Sequence, residues 1–394
     1  MKKIVSIILC VVMCLLALAS CAEKPIGSYR DQYNYEEEVV EEITLNLYII
    51  CDDSTADNAK TTIGREVKEY TKSKFNTLLN VHYVSESEYA ATVAEKTKAN
   101  ATDMANIVLI NSKQLMDSLV ASSSVADLTD FYKKDAFGKL NVTIASDILE
   151  ASKIDGKLYC VPNNHVVGDY DNDGVIANSG YKYLVIDEAV ARFNRFGDVA
   201  TLSSYDTVEK FMAEGALGKK LSCLTYDASN GTLSCSHSDN KCVEIVDGGY
   251  AAQKTFVDSG KYFTVLEKPS CTAEDAFSSA FAIINDPSKI NNKEQHDNYV
   301  SRVMEIIYAL NTDSTFRNLL QYGVKGTNYN VVDGNIVRFN STDNPDDVYH
   351  MNLLYTGNIF LAEYCSELGW TAEVSGNGNL QNKKTVISQD VYQP

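Results

Sequence analysis

The chain reads as an α/β protein built in two lobes, and three observations lead there. Residues 43–110 alternate strand and helix patterns, which implies right-handed crossovers and a mostly parallel sheet flanked by helices. A second α/β pattern lies beyond Asp155-Gly-Lys-Leu-Tyr-Cys-Val-Pro-Asn-Asn-His165, so that stretch has the position of a crossing between lobes. A chain of 394 residues is also long for a single core.

Taken in order, Lys2 and Lys3 precede an apolar run from Ile4 to Ala19, which closes on Leu18-Ala-Ser-Cys21. A charged start, a short apolar core and small residues make a secretory signal over residues 1–20 rather than a spanning helix. The ending resembles the bacterial lipobox, which implies cleavage before Cys21 and a thioether-linked lipid there. The alternative is an ordinary signal peptide with an incidental cysteine. Residues 21–42, with Pro25, Gly27, Ser28 and the acidic runs Glu36-Glu37-Glu38 and Glu41-Glu42, read as a solvated tether. No second long apolar run follows, so the body is expected to be held at the membrane surface by lipid.

Charge narrows the partners. With 35 basic residues against 53 acidic ones, a net of −18, the chain is a poor match for nucleic acid or for a polybasic membrane patch. Beyond Cys21 the cysteines stand at 51, 160, 223, 235, 242, 271 and 365, odd in number and irregular in spacing, so they form no disulfide scaffold.

Ile43 to Ile50 is a strand that becomes continuously apolar at its end, as a buried strand does. A helix from about Ala56 to Leu79 follows, then a strand Val81–Val84, a helix over 86–98 and a strand Ile107–Ile110. Ligands of such sheets bind beyond the carboxyl ends of strands, which singles out Asp52, Asp53, Ser54, Asn111 and Ser112. Asp52 and Asp53 could equally cap the next helix. Lys113 to Ser152 is helical with breaks. In the crossing, an Asp-Gly turn leads through an extended segment to Pro162, which cannot donate to a central ladder. Asn163, Asn164 and His165 then either cap a turn or hydrogen-bond a ligand at a cleft floor.

At this point the order of motifs resembles a known family. Lipobox, tether, Ala105-Asn-Ile-Val-Leu-Ile110, Leu128-Thr-Asp130 and Asp155-Gly-Lys-Leu-Tyr-Cys-Val-Pro162 are similar to the family 1 extracellular solute-binding lipoproteins of bacterial ABC importers. Downstream, Leu319-Leu-Gln-Tyr-Gly323, Val324-Lys-Gly-Thr-Asn-Tyr329, Gly357-Asn358, Leu368-Gly-Trp370 and Leu380-Gln-Asn382 resemble its later turns. The resemblance implies a two-lobe, periplasmic-binding-protein-like fold, each lobe a mostly parallel sheet, joined by a multi-strand hinge and closing on a ligand. Lobe 1 would hold 43–160 and 269–315, and lobe 2 would hold 161–268 and 316–394, with a second crossing at Tyr262–Lys268. The middle segment is short for the family, which leaves the depth of the cleft and the size of the ligand open.

Three constellations bear on chemistry. Asp169, Asp171 and Asp173, followed by Gly174, begin like a calcium loop, but position 12 is Gly180 where a bidentate Glu belongs. An acidic hairpin insertion is the favoured reading of them, and no metal or other cofactor is assigned. Cys235 and Cys242 flank a polar turn and can face each other across a hairpin as a disulfide; otherwise they are free thiols, and the spacing with His237 matches no common zinc module. Among 24 tyrosines and a single tryptophan, Tyr170, Tyr322, Tyr329 and Trp370 sit in or beside matched turns and are the aromatic candidates for a cleft.

The functional expectation is capture of a small polar solute outside the cell, with a sugar or oligosaccharide favoured by family and peptides left open. A monomer would deliver it to an ABC permease from the extracytoplasmic face of the cell membrane. No nucleophile elbow, His-Glu-x-x-His motif or phosphate loop appears, and the histidines at 82, 165, 237, 296 and 350 form no spaced pair. The competing readings are a ligand-sensing lipoprotein without a permease and a cell-surface glycosidase with a carboxylate pair.

Overall fold

The computed structural model describes residues 41–166, 181–187, 224–227, 232–235, 243–248, 256, 261–267, 271–340, 342, 344–372 and 375. It opens with β1 (Ile43–Ile50), α1 (Asp57–Phe75), β2 (Thr77–Val84), α2 (Glu86–Lys96), β3 (Ile107–Ile110) and α3 (Lys113–Ala121). The short helices α4 (Leu140–Thr143) and α5 (Ser146–Ala151) lead to β4 (Lys153–Ile154), β5 (Lys157–Leu158) and β6 (Cys160–Pro162). Then come β7 (Tyr181–Asp187), β8 (Leu224–Asp227), β9 (Thr232–Cys235), β10 (Val243–Gly248) and β11 (Lys261–Glu267). The remainder is α6 (Ala273–Phe277), β12 (Ala280–Ile283), α7 (Lys293–Thr312), α8 (Ser314–Tyr322), β13 (Tyr329–Val332) and β14 (Asn335–Arg338). No helix among these residues is long and apolar enough to cross a membrane.

The central sheet runs β2-β1-β3-β12-β6. β1 pairs in parallel with both β2 and β3, while β12 runs antiparallel to β3 and to β6. Four of the five strands therefore point one way, making a mixed α/β architecture with a mostly parallel sheet. The register of β1 on β2 starts at Ile43 opposite Thr77. That is possible because α1 stops four residues earlier than its sequence pattern predicts. Asn76 takes a left-handed conformation (φ 49°) and its N–H bonds back to the Lys72 and Thr71 carbonyls. Asparagine tolerates that conformation, so it ends the helix and releases Thr77 into the strand. The buried residues of α1, Ala59, Ile63, Val67 and Thr71, recur every four positions and cover the sheet.

The Asp-Gly turn forms as read: Asp155 and Gly156 both have positive φ, at 50° and 77°, and join β4 to β5 in a tight hairpin. β6 is the edge of the sheet, where Pro162 is accommodated without a central ladder bond.

Two expectations are corrected. First, residues 316–351 do not stand apart from the first sheet. Phe316, Leu320, Tyr349 and Met351 share one buried cluster with Leu47, Val108, Phe281 and Ile307. Tyr70 of α1 stacks on Phe316 at 5.3 Å. An apolar helix face fixes that a helix is covered, not which sheet covers it. Second, the three-stranded sheet ordered β10-β7-β11 is antiparallel at both interfaces. Its central strand, Tyr181–Asp187, has an antiparallel neighbour on each side, a pairing that needs no βαβ crossover between neighbours. The expected crossing at 262–267 is part of β11, within that sheet, and Lys268 lies outside the described residues. β9 pairs with β8 and β10 pairs with β7, and Cys242 lies outside the described residues.

Candidate functional site

Beyond the carboxyl ends of β1 and β2 lies a cleft of about 750 Å³. One side is the end of β1 and its loop, Ile50 to Asp53, joined by Glu86 and Ser87 from the start of α2. The facing side is the irregular segment carrying His350, Met351, Asn352 and Tyr355, with Arg338 at the end of β14 and Leu368 completing the lining. Parallel strands deliver their following loops to one edge of the sheet, which is why these segments converge.

The two sides are stitched together. The Asp52 N–H donates to the His350 carbonyl at 3.3 Å, and the Ala56 N–H donates to the Val348 carbonyl at 2.9 Å. The Thr55 hydroxyl donates to the His350 carbonyl at 3.0 Å and accepts from the His350 N–H at 3.1 Å. Behind this seam, residues 351–356 are neither helix nor strand, and side chains take up their backbone groups. Gln321 donates to the Met351 carbonyl and Arg317 to the Leu353 carbonyl, each at 2.8 Å, and the Ser279 hydroxyl reaches the Leu354 carbonyl. Thr356 closes the set by donating to the Gln321 side-chain oxygen at 2.5 Å. Arg317 is completely buried and has no carboxylate partner among the described residues, and burial pushes its guanidinium down to about 10.

The charges follow from these contacts. Asp52 Oδ1 accepts from the Ser54 N–H at 2.8 Å and from its hydroxyl at 2.5 Å, which holds the carboxyl below its ordinary range. The Ser54 oxygen also stands 3.1 Å from His350 Nδ1. Burial first, and then Arg338, lower the His350 pKa, so the ring is neutral near pH 7. Arg338 itself makes a two-pronged bond to Glu367, at 3.1 and 2.6 Å. Aspartate, serine and histidine thus lie in a row, but not in the order of a hydrolytic triad. The serine sits between the other two and donates to the carboxylate, whereas a nucleophilic serine donates to a histidine oriented by the acid.

The sequence-derived candidates separate into three groups. Asp52 and Asp53 line the cleft, Ser54 bridges two of its residues, and Asn111 hydrogen-bonds the phenol of the lining Tyr355. Ser112 caps α3, accepting from the Leu115 N–H at 3.3 Å. Asn163, Asn164 and His165 are placed in the interior rather than at an open floor. The Asn163 amide donates to Ser279 Oγ at 3.0 Å and accepts from Asn311 at 3.1 Å. Asn164 accepts from the Ala145 N–H at 3.0 Å, and His165 Nδ1 lies 2.8 Å from the Asn163 carbonyl. Tyr322, Tyr329 and Trp370 are likewise core residues: the Tyr322 hydroxyl donates to the Glu363 carbonyl, Tyr329 packs on Tyr322, and Trp370 packs on Phe360. Cys21, Asp169, Tyr170, Asp171, Asp173 and Cys242 lie outside the described residues, and Cys235 is described only as part of β9. Among the described residues, no group of three or more His, Cys, Asp or Glu is arranged to hold a metal ion.

Glu86 and Ser87 follow β2 just as Asp52 and Asp53 follow β1, so the same strand-end rule could have found them. Arg338, His350, Asn352 and Tyr355 carry no local signal, because they reach the cleft only through the docking of 338–355 on the first sheet.

No family model and no curated protein matches the chain. Among solved structures, an N-glycan transport solute binding protein from Streptococcus pneumoniae is similar at 16% identity and a TM-score of 0.46, over 86% of this chain and 82% of that one. An extracellular solute-binding protein from Bifidobacterium longum subsp. infantis is similar at 12% identity and a TM-score of 0.38, over 86% and 83%. A family 1 extracellular solute-binding protein from Alicyclobacillus acidocaldarius is similar at 13% identity and a TM-score of 0.31, over 70% and 78%.

Proposed function

We propose that this chain is the solute-capturing lipoprotein of an ABC importer, anchored through Cys21 and binding a sugar or oligosaccharide without transforming it. The observation that carries this reading is the cleft at the carboxyl edge of the β2-β1 pair, whose polar walls are pre-set by hydrogen bonds within the protein. Such a site binds with little ordering of its own groups, as a receptor requires. The residues around β7, β10 and β11 would form the second lobe, closing over the solute and presenting the complex to a permease. The motif order from the lipobox to Leu368-Gly-Trp370 supports the same reading.

A ligand that binds only the folded form stabilises it by about 2.7 kcal/mol at a hundredfold excess over Kd. For lobes of this size that corresponds to a rise of roughly 5–10 °C in Tm. A thermal-shift screen of mono- and oligosaccharides should therefore yield at least one stabilising compound, recovered chemically unchanged after long incubation. Solution scattering should show the radius of gyration falling when it binds. A hit from peptides alone would keep a receptor and remove the sugar. Steady conversion of a stabilising sugar to product would replace the receptor by a glycosidase.

A further inference from the structure

We propose that the cleft selects neutral and cationic polar solutes and rejects anionic ones. The inference rests on the reading of the cleft as a solute site and adds the charge class of the solute. Three carboxylates face the space: Asp52, Asp53 and Glu86. Asp52 has one oxygen, Oδ1, taken by the Ser54 N–H and hydroxyl, an arrangement that stabilises the ionised form and fixes the plane of the carboxylate. No described residue bonds its other oxygen. The Asp53 and Glu86 side chains are exposed and hydrogen-bond no other described residue.

Little among the described lining residues offsets these charges, the field of Arg338 at Asp52 being a minor contribution. Arg338 is the one cation there, and both prongs of its guanidinium are committed to Glu367. Lys60, the cation whose field reaches Cys51 at the cleft wall, is paired with Asp57 at 3.2 Å. His350 faces Ser54, Asp52, Arg338 and Glu367, and its burial keeps it neutral at pH 7. The amino end of α2 would ordinarily attract an anion, but its first turn already carries Glu86 and Glu88. Among the described lining residues, an incoming carboxylate, sulfate or phosphate would meet like charge without an uncommitted cation to pair with. A hydroxyl or an ammonium would find acceptors. Ile50, Met351 and Leu368 add an apolar surface suited to the face of a ring.

The test uses the full chain, immobilised, and three pools of oligosaccharides of matched length: neutral, free-amine-bearing and uronate-containing. Mass spectrometry reads what is retained at pH 7 and low salt. The expected result is retention from the neutral or amino pools, with uronate counterparts disfavoured by about tenfold or more, the size of effect that like-charge juxtaposition gives. Asp53→Asn combined with Glu86→Gln, both at exposed positions, should reduce that discrimination to within about threefold. Uronates retained as well as or better than their neutral counterparts would overturn the charge rule while leaving a sugar receptor standing. Discrimination unchanged in the double variant would also overturn it, because the carboxylates would not be its source. Retention from none of the pools would remove the sugar receptor and this inference with it.

Discussion

At the scale of single residues, burial divides histidines from carboxylates. His82, His165 and His350 all have pKa values lowered by burial, His165 being wholly enclosed. An unfolded chain takes up these protons near pH 6.5, before the folded chain does, so folding stability is complete above that pH and declines as pH falls through it. Asp52 works in the same direction at lower pH, since its lowered pKa gives stability that is lost as it is protonated. Urea unfolding at pH 7, 6 and 5 should show a falling midpoint, and His165→Gln should flatten the decline. A midpoint that does not move between pH 7 and 5 would contradict the burial of these rings.

At the scale of elements, α8 holds the cleft wall. Arg317 and Gln321 are four residues apart and so share one face of the helix, from which they reach the carbonyls of Leu353 and Met351. The Asn163–Ser279 pair of the crossing supports the same wall through the Leu354 carbonyl. Arg317→Ala leaves a buried carbonyl without its donor and a void where the side chain packed, and should lower stability by about 3 kcal/mol. Amide exchange should quicken most over residues 350–356, with β1 and β3 remaining protected, and Arg317→Lys should restore part of the protection. Uniformly faster exchange would mean that Arg317 supports the core generally rather than this wall.

At the scale of the whole molecule, the anchor and the fold are separable. The described fold begins just after the proposed tether, and Arg302 grips the Glu41 carbonyl together with those of Phe75 and Asn76, at the amino end of β1 and away from the cleft. Cys21→Ala should therefore leave the folded body and its solute binding intact, while the protein is shed from membranes or retained as uncleaved precursor. Normal processing together with unchanged membrane fractionation would rule out lipid attachment at that cysteine.

Much of the first sheet was legible in the sequence because its determinants are local. Alternation of strand and helix, the apolar run ending β1, and the Asp155-Gly156 turn each act within a few residues. The same locality placed Asp52 and Asp53 at a strand's carboxyl end, where the cleft lies. What only the tertiary structure decided is which distant segment covers which sheet. Residues 316–355 carry apolar patterns that would suit either lobe, and their docking on α1 and β1 brings His350 and Tyr355 opposite Asp52. That choice also places Asn163, Tyr322 and Trp370 in the interior. A periodic pattern encodes that a face must be buried, whereas its partner is chosen by the combined packing of elements hundreds of residues apart.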